Sequence, residues 1–130
     1  MMKRSVFIAA LAVFLAACGG GDSEPPTVNV TGEWKGTARS SSTNGAGPVS
    51  FSLNQVGSDV SGSAASPTNS CLKIGTLSGK ISGNEMSGSI TAGGERVDYK
   101  LTVIGNAMSG TYTAVTVVCG NDQGSFNLAR

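Results

Sequence analysis

The sequence predicts an all-β chain of eight antiparallel strands, in up-and-down meander order, closed into a barrel. Three observations carry that prediction. Tight glycine-led turns recur at Gly57-Ser58, Gly83-Asn84 and Gly105-Asn106. Folding the chain at each turn sets apolar residues opposite apolar residues, as the two-residue period of a strand requires. No helical periodicity interrupts the pattern after residue 30.

The pairings can be written out. Around Gly105-Asn106, Val103 faces Met108, Leu101 faces Gly110, Tyr99 faces Tyr112 and Val97 faces Ala114. Around Gly83-Asn84, Ile81 meets Met86, Gly79 meets Gly88 and Leu77 meets Ile90. Around Gly57-Ser58, Leu53 meets Gly62 and Phe51 meets Ala64, and only Gln55 opposite Val60 breaks the apolar face. Glycine in first place suits a type II′ turn, whose first central residue needs a positive φ.

Taken in order, the chain opens on basic Met1-Met2-Lys3-Arg4 and an apolar run from Ser5 to Ala17, the pattern of a secretory signal. The run is shorter than the ~20 residues a membrane-spanning helix needs. It ends in Leu15-Ala16-Ala17-Cys18-Gly19, which resembles the lipobox of bacterial lipoprotein precursors. The resemblance implies a signal peptide over residues 1–17, removal of that peptide, diacylglycerol on the Cys18 sulfur and an acyl chain on its new amine. Gly19 stands where inner-membrane retention typically uses Asp, so in a cell with two membranes the resemblance implies anchorage in the outer membrane of the cell envelope. Each buried methylene contributes ~0.8 kcal/mol, so several acyl chains hold firmly. Residues 18–27, with Gly19-Gly20-Gly21 and Pro25-Pro26, read as acylated cysteine and flexible tether. Residues 28–130 then form a single domain.

Within that domain, strand one alternates over Val30–Ala38, with Val30, Gly32, Trp34, Gly36 and Ala38 on one face. Ser40 to Gly47 is a polar loop, and strands two and three flank Gly57-Ser58. A short loop runs through Pro67 to Ser70, and strands four and five flank Gly83-Asn84. Leu72 and Ile74 are out of phase with Leu77 and Ile81, which predicts a bulge near Gly75. Ala92 to Glu95 makes another loop. Strands six and seven flank Gly105-Asn106, with Val115 to Val118 extending strand seven. Cys119 to Gly124 turns, and Ser125 to Arg130 is strand eight. Eight strands can close a sheet with side chains filling the interior and no open edge. Mid-strand Gly62, Gly88 and Gly110, on the apolar face, permit the curvature closure needs. A β-sandwich is the rival arrangement of the same strands. The predicted interior comprises Val30, Trp34, Phe51, Leu53, Leu77, Ile81, Met86, Ile90, Tyr99, Leu101, Val103, Met108, Tyr112, Phe126 and Leu128, enough to fill a small barrel.

Gly32-Glu33-Trp34 on strand one, together with Arg130 at the end of strand eight, resembles the calycin pattern of lipocalins and avidins. The resemblance implies that the guanidinium of Arg130 packs over Trp34. The rest of the lipocalin signature and the tryptophans that line an avidin site are missing, so ligand residues do not transfer.

Composition narrows the chemistry. The chain holds no histidine, the usual general base near neutral pH and the commonest zinc ligand. Removing Lys3 and Arg4 from nine basic side chains leaves seven against eight acidic ones, with no basic run for nucleic acid. Glu33, Asp59, Glu85, Glu95, Asp98 and Asp122 are scattered, mostly at turns or on polar faces, where solvation is their expected role. The serines lack a base, so nucleophilic catalysis has no support. With Cys18 acylated, Cys71 and Cys119 remain, and two cysteines in an exported chain make a disulfide most often. Their loops share the barrel end opposite the tight turns, and the bond would add ~4 kcal/mol in the chain-entropy model. It would also cross the mouth and hinder entry of a large apolar ligand.

No catalytic, metal or cofactor set emerges. The expected function is that of a lipid-anchored, non-enzymatic binding module of the cell envelope whose disulfide-linked loops meet a protein or glycan partner. The alternatives are a small-ligand-binding, calycin-like barrel and an envelope structural protein. A filled interior disfavours the small-ligand reading; a cavity of several hundred Å³ with convergent polar groups favours it.

Overall fold

The computed structural model describes residues 24–67, 73–115 and 120–130. Eight strands form: β1 (Gly32–Ser40), β2 (Ala46–Val56), β3 (Asp59–Ala65), β4 (Ile74–Ser82), β5 (Glu85–Ala92), β6 (Glu95–Ile104), β7 (Ala107–Val115) and β8 (Asp122–Ala129). Each pairs antiparallel with the next, and β8 returns to β1, closing the barrel. Among the described residues there is no helix. The architecture is compatible with a calycin-like fold.

The hairpin registers follow the alternation of the sequence. Val103 pairs with Met108 and Tyr99 with Tyr112. Ile81 pairs with Met86, and Leu53 with Gly62. Gly57, Gly83 and Gly105 have φ of 61°, 58° and 60°, while the residue after each stays at negative φ. A type I′ turn needs both positive, so this geometry is that of type II′. A fourth turn of the same kind, Gly93-Gly94, joins Ala92 to Glu95, which pair directly. The loop expected there is thus a two-residue reversal.

Other boundaries shift too. β4 runs in unbroken register from Ile74 opposite Ala65 through Gly75 opposite Ala64, so the bulge predicted near Gly75 is absent. Ile74 points outward instead and is 72% exposed. β8 starts at Asp122, inside the stretch read as a turn, and Leu72 and residues 116–118 lie outside the described residues.

The barrel has two unlike ends. The turn end carries Gly57-Ser58, Gly83-Asn84 and Gly105-Asn106; the mouth carries the β1–β2, β3–β4, β5–β6 and β7–β8 connections. Large side chains fill the turn end, with Val30, Trp34, Ile81, Met86, Leu101, Val103 and Met108 all fully buried. Gln55, the one polar intruder on that face, plugs it. Its Oε1 accepts from the Val30 amide at 2.9 Å, and its Nε2 donates to the carbonyls of Val28 and Gly57. Residues 24–27, at the end of the expected tether, lie against the same end. The Thr27 amide donates to Gly83 O at 2.8 Å and the Glu24 amide to Ser82 Oγ at 2.7 Å.

Trp34 and Arg130 meet there as well. The Arg130 guanidinium carbon lies 4.4 Å from the indole centroid, and the indole N–H donates to Val30 O at 2.9 Å. Arg130 also donates to Thr31 O and to Asn106 Oδ1, both at 3.3 Å. The chain's two described termini therefore close one end together.

Candidate functional site

The interior changes character along the axis. Toward the mouth, the inward positions are held by Ala38, Ala64 and Ala114, whose methyl groups do not reach across a barrel. They leave a cavity of about 310 Å³, walled also by Val49, Ile90 and Val97. So the interior is filled at the turn end and hollow at the mouth, a distinction the sequence left open.

Aromatic rings form the side and floor of this cup. Tyr112 stacks on Phe126 with centroids 4.8 Å apart, and Phe126 meets Phe51 edge-on at 5.5 Å. Such pairs contribute ~0.5–1.5 kcal/mol beyond their burial and hold the rings in one arrangement. Tyr112, expected as fully interior, is only partly buried because its hydroxyl reaches the rim. It fits there because its neighbour on β8 is Gly124. A Cβ at Gly124 would run into the Arg39 carbonyl and the Tyr112 ring.

The polar groups of the cup converge on Asp122. Ser40 Oγ donates to its Oδ1 at 2.7 Å, Ser42 Oγ donates at 2.6 Å, and the Tyr112 hydroxyl donates to Oδ2 at 3.1 Å. The β1–β2 loop sets this up. Asn44 takes a left-handed φ of 61°, which asparagine tolerates better than most residues, and its amide donates back to Ser40 O at 3.0 Å. The reversal presents Ser40 and Ser42 on one side. Burial works against the charge of Asp122. The hydroxyls of Ser42 and Ser40, the Gln123 amide and the Tyr112 hydroxyl outweigh it and hold the carboxyl below its ordinary 3.8. Burial, and then the Asp122 charge, pushes the Tyr112 phenol up to about 12.

A second carboxylate stands at this end. Glu95 shares the inward face of β6 with Val97 and Tyr99, is only 8% exposed, and its Oε2 has no hydrogen-bond partner. Glu95 and Asp122 therefore depart from the solvated role expected of the carboxylates. The alternation Glu95, Val97, Tyr99 already carries the signal for the first. The second is visible only once β8 is seen to begin at Asp122.

Cys18, Cys71 and Cys119 lie outside the described residues. The connections holding Cys71 and Cys119 leave from the mouth. One is bracketed by a hydrogen bond from the Ser66 amide to Lys73 O at 2.7 Å, and Gly120 beside the other lines the cavity. The expected Trp34–Arg130 contact is at the far end, so it supports the barrel and not the cup. Among the described residues no cluster of three or more His, Cys, Asp or Glu is placed to hold a metal ion. No protein-family model matches the chain, and no curated protein matches it either.

Proposed function

We propose that this chain is a non-enzymatic binding protein of the cell envelope that holds a small, largely apolar ligand in the mouth of a calycin-like barrel. The observation that carries the reading is the half-open cavity of about 310 Å³ with aliphatic and aromatic walls and a hydrogen-bonded rim. Ligand pockets span roughly 300–1,000 Å³ and are mostly apolar with a few placed polar groups, so this one suits a small occupant. The lipobox-like Leu15-Ala16-Ala17-Cys18 supports an outer-membrane lipoprotein. Glu24 lies at the turn end, so a lipid on Cys18 would leave the mouth facing away from the bilayer. That orientation also favours a second reading, in which the mouth loops, joined through Cys71 and Cys119, meet a protein or glycan.

The test uses the mature chain with Cys18→Ser, exported without lipid and labelled at its alanine methyl groups. Adding 3-phenylpropan-1-ol should shift the methyl signals of Ala38, Ala64 and Ala114 while leaving Ala129, on an outward position, in place. Ala114→Phe should fill the cup and abolish the shifts without loss of stability. Shifts spread evenly over the chain, or none at all, would remove the small-ligand reading.

A further inference from the structure

We infer that the mouth selects an uncharged hydrogen-bond donor: its ligand is a small alcohol or phenol whose apolar body lies in the cup and whose O–H is accepted by the rim. This inference rests on the small-ligand reading and names the chemistry of its occupant.

Asp122 sets the polarity of the rim without meeting the ligand itself. An ionised carboxylate has about four lone-pair sites and no donor. Ser40 Oγ and Ser42 Oγ donate to Oδ1, the Tyr112 hydroxyl donates to Oδ2, and the Gln123 amide donates as well. The carboxylate is therefore satisfied from within the protein. Its influence passes outward through the hydroxyls. Each has one proton and two lone pairs, and a carboxylate can only accept, so all three protons turn toward Asp122. What each hydroxyl presents on its other side is lone pairs alone.

The rest of the rim follows the same rule. Ser40 and Ser42 stand 3.1 Å apart, but their protons are engaged at 2.7 and 2.6 Å by Asp122. The Ser40 oxygen accepts from the Thr43 amide at 3.3 Å, which uses one of its pairs. Ser66 lines the cavity from the end of β3, and its hydroxyl donates to Pro48 O at 3.3 Å, so its proton is spent too. Among the described side chains of the lining, Thr43 and Asn121 keep a donor, and both are exposed to solvent. Four hydroxyls of the lining (Ser40, Ser42, Ser66 and Tyr112) are thus acceptors toward the cup.

A rim of acceptors sorts ligands by what their heads can give. An alcohol or phenol donates its proton to such an oxygen and recovers the bond it left in water. An ether of the same shape can only accept, so its oxygen is desolvated opposite other oxygens and stays unpaired, which is costly. A carboxylate adds a like charge beside Asp122. An ammonium group finds no open carboxylate oxygen to offset its lost hydration.

The experiment centres on two isomers, 3-phenylpropan-1-ol and 2-phenylethyl methyl ether, with 3-phenylpropanoate and 3-phenylpropylamine as the charged probes. Each is titrated into the lipid-free mature chain by calorimetry at pH 7. The alcohol should bind about five- to tenfold more tightly than the ether, the acid more weakly than either, and the amine no more tightly than the alcohol. Asp122→Asn supplies an amide N–H that gives a proton to one hydroxyl and frees that hydroxyl's own for the ligand. It should narrow the alcohol's lead by raising the ether's affinity, which a loss of packing would not do. Tyr112→Phe removes one acceptor and keeps the ring, so it should weaken the alcohol and leave the ether in place. Glu85→Gln, an equal change of net charge at the turn end, should alter neither. An ether that binds as well as the alcohol, an amine that binds more tightly, or a ratio that survives both mouth substitutions overturns the donor assignment and leaves the small-ligand reading standing. If none of the four binds, both fall.

Discussion

At the scale of single residues, Gln55, Tyr99 and Tyr112 each place a polar group inside the barrel to answer a local need. Gln55 pairs the backbone of Val28 and Val30 where the turn end would otherwise bury it unpartnered. Tyr99 sends its hydroxyl to Ser78 O at 3.1 Å, and Tyr112 sends its own to Asp122. These two phenols make alkaline stability a readout of packing. Burial raises Tyr99 well above its ordinary 10 and raises Tyr112 to about 12. The unfolded chain therefore loses these protons first. Their contribution is complete below pH 10 and lost as the pH climbs through the folded values. Urea midpoints measured from pH 8 to 11.5 should fall steeply above pH 10, and Tyr112→Phe should flatten that fall. A midpoint independent of pH over this range would count against the burial of both rings.

At the scale of elements, strands meet by setting a large side chain beside a glycine. Tyr99 pairs with Gly88, Phe126 with Gly110, Tyr112 with Gly124 and Leu128 with Gly36. A Cβ at Gly88 would strike the Ser78 carbonyl and the Gly79 backbone, so the strands coil more tightly than an all-alanine face permits. Gly88→Ala should cost about 1–3 kcal/mol or more through overpacking. Gly94→Ala, with open space around its Cβ and no positive φ, should change stability by less than about 0.5 kcal/mol. Chemical unfolding of the two variants checks the contrast. Much of this level is legible in the sequence, because alternation and glycine-led turns leave each hairpin one register. The exception at Gly75 is instructive. Ile74 invites an inward placement, but an exposed aliphatic residue is ordinary, and nothing local says which way one isolated isoleucine points.

At the scale of the whole molecule, closure is legible because a sheet of eight inward-curving strands has its first and last members in reach of each other. The cup is not. A list of interior residues gives the quantity of filling but not its distribution, and only the assembled registers sort the alanines to one end and Trp34, Met86 and Met108 to the other. The polar rim is harder still, since it depends on Ser40, Tyr112 and Asp122 meeting from three different strands. Closure itself is testable. Deleting residues 122–130 removes β8, exposes the edges of β1 and β7 and takes Arg130 from Trp34. The truncated chain should lose its cooperative urea transition and self-associate, as unpaired edges do, by light scattering.

The seal that Val30, Trp34, Gln55 and Arg130 make across the turn end has a last consequence. It gives the vessel a floor, so whatever enters must depart by the same door. On the small-ligand reading we propose, such a vessel stores and hands over its cargo and does not conduct it. Residence time is then governed by the connections around the rim, chief among them residues 41–45 and the pair Gly93-Gly94.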